Sequence, residues 1–184
     1  MNKVILGLDV STSRVGICVL DYSSNLLRSD FIKKNSKDDL EDRCLVLENY
    51  IKNLDCYDSI SNKGYCFGEV FIESPFMMFS GGKTTAMTMA KLQRFNGMVC
   101  YMITKTLRLK PVSIAANKAR GLVGLKIKRG EDTKQKVIDW AQNQYPKDFL
   151  VECTRFGNPK PGTDDMADAI VIARAGLLID KEAI

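Results

Sequence analysis

The sequence predicts an α/β fold in which a mixed five-stranded sheet carries helices on both faces. Three observations point there. Three strand-like apolar runs follow one another at the start with only tight turns between them, the pattern of an antiparallel meander. Helical and strand-like segments then alternate, and each intervening helix allows a crossover that leaves the first, fourth and fifth strands parallel. Finally, 184 residues suffice for one domain with a sizeable core. No internal repeat, low-complexity tract or long linker divides the chain.

The elements follow in order. Residues 3–9 (KVILGLD), 14–21 (RVGICVLD) and a stretch from Asn25 (NLLRSDFIKK) are the three strands of the meander. From Asp38, Leu40, Cys44, Leu47, Ile51 and Leu54 recur at helical spacing, with Ser36 or Asp38 able to cap the start. Residues 55–65 are polar and loop-like, and CFGEVFIE (66–73) is a strand that again ends on an acid. A helix is predicted from about Thr84 to Leu107, its apolar stripe running through Ala86, Met89, Ala90, Phe95, Met98, Val99, Met102 and Ile103. KPVSIAA from Lys110 is a short strand, and residues 116–130 are basic and punctuated by glycine. A helix over 132–145 carries Val137, Ile138, Ala141 and Tyr145 on one side. GNPKPG (157–162) breaks the chain before a last helix, TDDMADAIVIARAGLLI.

Composition excludes several chemistries. There is no histidine, which removes Ser-His-Asp and Cys-His catalysis and the usual zinc sites. The six cysteines are scattered without a CxxC pair and read as reduced thiols. No apolar run reaches the length of a membrane span, and the start has no signal-peptide layout, so a cytoplasmic protein is expected, in the host cytoplasm if the source is viral. Charge is unevenly placed. Between Lys83 and Lys136, thirteen Lys/Arg face two acids, a balance of +11, which leaves −6 for the rest of a chain whose net charge is +5. A basic middle between acidic ends suits a polyanion, with Lys83, Lys118, Arg120, Lys126, Lys128 and Arg129 as candidate contacts; a solvated set of helix faces is the alternative.

The acids carry the chemistry. Asp9 ends the first strand and Glu73 the fourth; if those strands are parallel neighbours, their carboxylates converge at the sheet edge where ligands bind in such folds. Asp165 and Asp168, three residues apart, project from one side of the last helix, with Thr163 or Asp164 placed to cap it. Four clustered carboxylates repel one another and call for hard cations, Mg²⁺ or Mn²⁺. Two such ions about 4 Å apart can clamp the attacking and leaving oxygens of a phosphodiester displacement, which needs no histidine.

With GLD closing strand one, IES closing strand four and DDMADAIVIA at the end, the sequence resembles the RuvC-like Holliday junction resolvases of the RNase H-like/retroviral integrase superfamily, including phage-type members. The resemblance implies one RNase H-like domain over 1–184, with strand order 3-2-1-4-5 and strand 2 antiparallel. It implies Asp9, Glu73, Asp165 and Asp168 as Mg²⁺ ligands, two ions per site with Mn²⁺ as substitute. AANKARGLVG places Arg120 at a DNA-contacting position, GEDTKQKV places Lys134 near the scissile phosphate as a catalytic residue, and Phe76 in ESPF falls where the family stacks an aromatic on bases at the crossover. It also implies a homodimer, formed near the helix at 84–107, that resolves four-way DNA junctions.

The chain departs from the family at Asp9-Val10-Ser11, where Asp-Pro-Gly is usual, and at 55–65 and the SGGK loop. Other readings stay open on the residues: a flap, fork or RNA nuclease of the same fold, or a non-catalytic binder of branched DNA. GLDVSTSRVG also resembles the first phosphate loop of actin-like and sugar-kinase domains, but those need two domains, normally well above 184 residues, and a second glycine-rich phosphate loop, so this reading is not expected to hold. FSGGKTTA does not complete a nucleotide-binding P-loop, because Met77 stands where that pattern requires glycine. Neither a nucleotide cofactor nor a membrane is expected.

Overall fold

The structure is a computed structural model and describes residues 3–33, 35, 37–55, 65–75 and 85–182. Five strands form the sheet: β1 (Lys3–Val10), β2 (Arg14–Asp21), β3 (Leu26–Lys33), β4 (Cys66–Glu73) and β5 (Val112–Ile114). Their order is β3-β2-β1-β4-β5, with β2 antiparallel to β1 and β3, and β4 parallel to β1 and β5. The sheet is therefore the predicted one.

Alternation along β1 divides the core in two. Val4, Leu6, Leu8 and Val10 face one side with Ile72 and Val70 of β4. There they meet α1 (Leu40–Asp55), through Leu47 and Ile51, and α2 (Ala86–Leu107), through Phe95, Val99 and Ile103. Ile5 and Phe71 face the other side, toward α3 (Ala116–Leu122), α4 (Thr133–Gln144) and α5 (Thr163–Glu182). Helices thus cover both faces, as the sequence predicts. Among the described residues no helix is long and apolar enough to cross a membrane.

Local corrections have local causes. Residues 116–122 fold as helix α3, because Ala116, Lys118, Ala119 and Arg120 are good helix formers and Ala119 packs fully buried against the core; charge and Gly121 disguise this. Asp39, not Asp38, caps α1: its carboxylate accepts from the Asp42 N–H at 2.8 Å while that of Asp42 accepts from the Asp39 N–H at 3.4 Å. Ser36 lies outside the described residues. Helix α2 starts at Ala86, capped by the Thr85 hydroxyl, and its first turns stay exposed at Ala86 and Ala90. The α4 face of Val137, Ile138, Ala141 and Tyr145 is buried as expected.

Candidate active site

Asp9 and Glu73 stand side by side because of a bulge. Val4 of β1 pairs with Phe67 of β4, but Ile5 pairs with Glu69, so Gly68 is the extra residue. The shifted register runs on to Leu8 opposite Ile72, which makes Asp9 and Glu73 the next level. Unshifted, Asp9 would lie beside Ile72, whose side chain belongs to the opposite face. Glu73 is anchored from behind by buried Asn96 of α2, whose Nδ2 donates to the Glu73 carbonyl at 3.1 Å.

Helix α5 brings the other two acids. Gly16 is the β2 partner of Asp9, and a Cβ placed there would fall 1.9 Å from the Asp165 carbonyl oxygen. At Gly7 a Cβ would meet the Ala169 carbonyl and the Ala173 methyl, both at 2.6 Å. These two glycines let α5 lie directly on β1 and β2, so Asp165 and Asp168 descend beside Asp9. At the start of α5 the Asp164 carboxylate accepts from the backbone N–H groups of Asp164 and Asp165. The Gly162 carbonyl accepts the helix's first bond, from the Met166 N–H at 3.0 Å, and the Thr163 hydroxyl donates to the Lys160 carbonyl.

Burial, then the neighbouring Glu73, Asp168, Asp165 and Asp164, holds the Asp9 carboxyl well above the usual carboxylate range. Burial and then Asp168 push Glu73 up to about 7, although Arg120 opposes the shift. Asp165 and Asp168 are raised as well, mainly by burial. Three cations answer this charge. Arg14 Nη1 lies 3.2 Å from Asp165 Oδ2, Arg120 Nη2 lies 3.3 Å from Asp168 Oδ1, and Lys134 Nζ pairs with Asp164. Asp164 is partly buried, which favours its neutral form, but the Lys134 ammonium and two backbone N–H groups outweigh this and keep its carboxyl low. Lys134 is raised in turn by the same bond.

Of the candidate residues, Asp9, Glu73, Asp165, Asp168, Arg120 and Lys134 therefore meet in one place. Lys118 on α3, together with Lys126, Lys128 and Arg129 between α3 and α4, is exposed and has no ion pair among the described residues. Phe76 and Lys83 lie outside the described residues. Sequence reasoning missed Arg14, Asn96 and the partnership of Asp164 with Lys134. Only the basic character of Arg14 beside an acidic strand end signals its role.

The donor set is all carboxylate, which suits a hard divalent cation. Among the described residues no three acidic or thiol side chains are drawn in closely enough to enclose an ion as they stand. Two of the acids are turned to arginines instead, and these fit poorly: Nε of Arg14 and of Arg120 is buried without a hydrogen-bond partner. The acids thus match a divalent cation in kind, and their present partners satisfy them incompletely.

No protein-family model matches the chain, and no curated protein sequence matches it. Solved structures do. The chain has the α/β fold of the RuvC-like Holliday junction resolvases over nearly its whole length. It is similar to Thermus thermophilus RuvC in complex with a Holliday junction substrate, with a TM-score of 0.68 at 14% identity over 98% of this chain and 96% of that one. A second Thermus thermophilus RuvC structure gives 0.63 at 14% identity over the same shares. The yeast mitochondrial Holliday junction resolvase Ydc2 gives 0.57 at 12% identity, over 98% of this chain and 82% of that one.

Proposed function

We propose that the chain is a structure-selective endonuclease that resolves four-way DNA junctions by Mg²⁺-dependent phosphodiester hydrolysis, acting as a symmetric homodimer in the cytoplasm. The observation that carries this reading is the meeting of Asp9, Glu73, Asp165 and Asp168 at the carboxyl ends of β1 and β4, in a fold shared with junction resolvases.

Those four carboxylates would hold Mg²⁺, or Mn²⁺ in its place, two ions per site, to supply Lewis acidity at the scissile phosphate and at the attacking and leaving oxygens. The chain's own residues do the rest. Lys134, on the first turn of α4 and mostly exposed, stands beside the acids to neutralise a phosphate oxygen. Lys118, Lys126, Lys128 and Arg129 supply exposed positive charge for the DNA backbone. With no histidine in the chain, proton transfer falls to carboxylates and lysine, and Glu73, raised to about 7, is suited to it. Support for a dimer comes from the exposed groove between α1 and α2, where Leu45 and Tyr101 present apolar surface beside Cys44, Met98 and Met102. The free thiols Cys18, Cys44, Cys66, Cys100 and Cys153 suit a reducing compartment.

The test is cleavage of synthetic four-way junctions, flaps, forks and linear duplexes with Mg²⁺ by the wild type and by Asp9→Asn. Junctions should be cut in preference, and Asp9→Asn should lose at least about 10²-fold in rate while still binding junctions. Equal cutting of linear and branched DNA would overturn the resolvase reading in favour of a broader nuclease. Full activity in Asp9→Asn would overturn the site.

A further inference from the structure

The arginines of the site are placed for more than static neutralisation. Arg14 and Arg120 are partly sheltered, with 26% and 19% of their side chains exposed, against 72% for Lys134. Each guanidinium has one hydrogen bond to its aspartate, at 3.2 Å and 3.3 Å, and one buried N–H without a partner. Guanidinium and carboxylate can pair through two parallel bonds, and a sheltered pair gains most when every donor is matched. Here they are held short of that, so the pairs are loose as sheltered ion pairs go.

The surroundings show where the guanidiniums could otherwise turn. Arg14, at the start of β2, lines an open cleft with Lys134, Gln135, Lys160 and Asp164, between α4 and the segment 158–161. Arg120 lies in the last turn of α3 and keeps an exposed edge beside Asp168. Arg14 therefore stands between Asp165 and an open basic cleft, and Arg120 stands at Asp168 with part of its guanidinium arm open to solvent.

We infer that Arg14 and Arg120 are exchangeable counter-ions: they neutralise Asp165 and Asp168 until divalent cations take those oxygens, and then turn to backbone phosphates. This rests on the metal-dependent nuclease reading above. Metal and arginine compete for the same carboxylate oxygens, so each binds more weakly when the other is present. Phosphate and carboxylate compete for the same guanidinium, so metal binding and DNA binding help one another. The positive charge that grips DNA beside the acids is then delivered in proportion to how far the site is loaded with metal.

Titration calorimetry of Mg²⁺ into the full chain without DNA tests the exchange, with circular dichroism to check each fold. Arg14→Gln and Arg120→Gln should bind Mg²⁺ more tightly than wild type, by about fivefold or more, the lower end of ordinary coupling between ligands; Asp165→Asn should bind it more weakly. Wild-type affinity for Mg²⁺ in both arginine variants overturns the exchange and leaves the nuclease reading standing. No Mg²⁺ binding by any form overturns both. Should either Gln variant unfold, junction binding by Asp165→Asn in EDTA decides. With Arg14 released to a phosphate, the slope of log K against log salt should steepen by about 0.9 relative to wild type. An unchanged slope overturns the exchange.

Discussion

At Glu73 the usual direction of acid chemistry is reversed. Its carboxyl goes from an ordinary 4.5 to about 7 because burial and Asp168 disfavour the charge. The folded state therefore holds this proton more tightly than the unfolded chain does. The resulting stability is fully present below about pH 4.5 and is lost as pH rises through about 7. In EDTA the melting temperature should fall across that window, and Glu73→Gln should flatten the fall. Asp9 is raised in the same direction, so Asp9→Asn should raise the melting temperature in EDTA at neutral pH while abolishing cleavage. Melting curves of the three proteins against pH check both statements; a wild-type stability that climbs from pH 5 to 8 in EDTA would contradict them. The four acids were legible in the sequence because each sits where a local pattern marks it: a strand end or an i,i+3 pair. Arg14 was not, because its partner Asp165 is 151 residues away and no local pattern records that pairing.

At the scale of elements, the contact between α5 and the sheet decides the site. The close approach at Gly16 leaves no room for a methyl group. Gly16→Ala must push α5 off β2 and should cost about 1–3 kcal/mol or more, with a disproportionate loss of cleavage because Asp165 moves with the backbone. Denaturant unfolding measures the first effect and junction cleavage the second; a fully active, fully stable Gly16→Ala would refute the packing argument. The connection between α3 and α4 carries the other element-scale prediction. Lys126→Gln with Arg129→Gln should lower the slope of log K against log salt for junction binding by about 1.8, if each cation meets one phosphate. An unchanged slope places the DNA elsewhere. Lys126 and Arg129 were visible as charge, whereas the helix at Ala116–Leu122 was hidden by that same charge and by Gly121.

At the scale of the molecule, the two faces of the sheet differ in what they present. The face of α3, α4 and α5 builds the acidic site and its cations, while that of α1 and α2 leaves Leu45 and Tyr101 exposed, at 57% and 71%. If that groove joins two copies, Tyr101→Lys should shift the mass measured by light scattering from dimer to monomer and uncouple the cuts on opposing strands. A dimer that survives Tyr101→Lys combined with Leu45→Lys would put the interface on another surface.

The sequence by itself determined the element types except α3, gave the sheet order through its resemblance, and marked the four acids as candidates. These are short-range facts: period two or 3.6, an acid at a strand end, a spacing of three. Only the tertiary structure decided that Gly68 bulges and brings Asp9 level with Glu73, that Gly7 and Gly16 admit α5, and that Arg14 and Arg120 occupy Asp165 and Asp168. The physical reason is that register, close approach and ion pairing depend on which surfaces meet, and residues far apart in the chain leave no local pattern of that meeting.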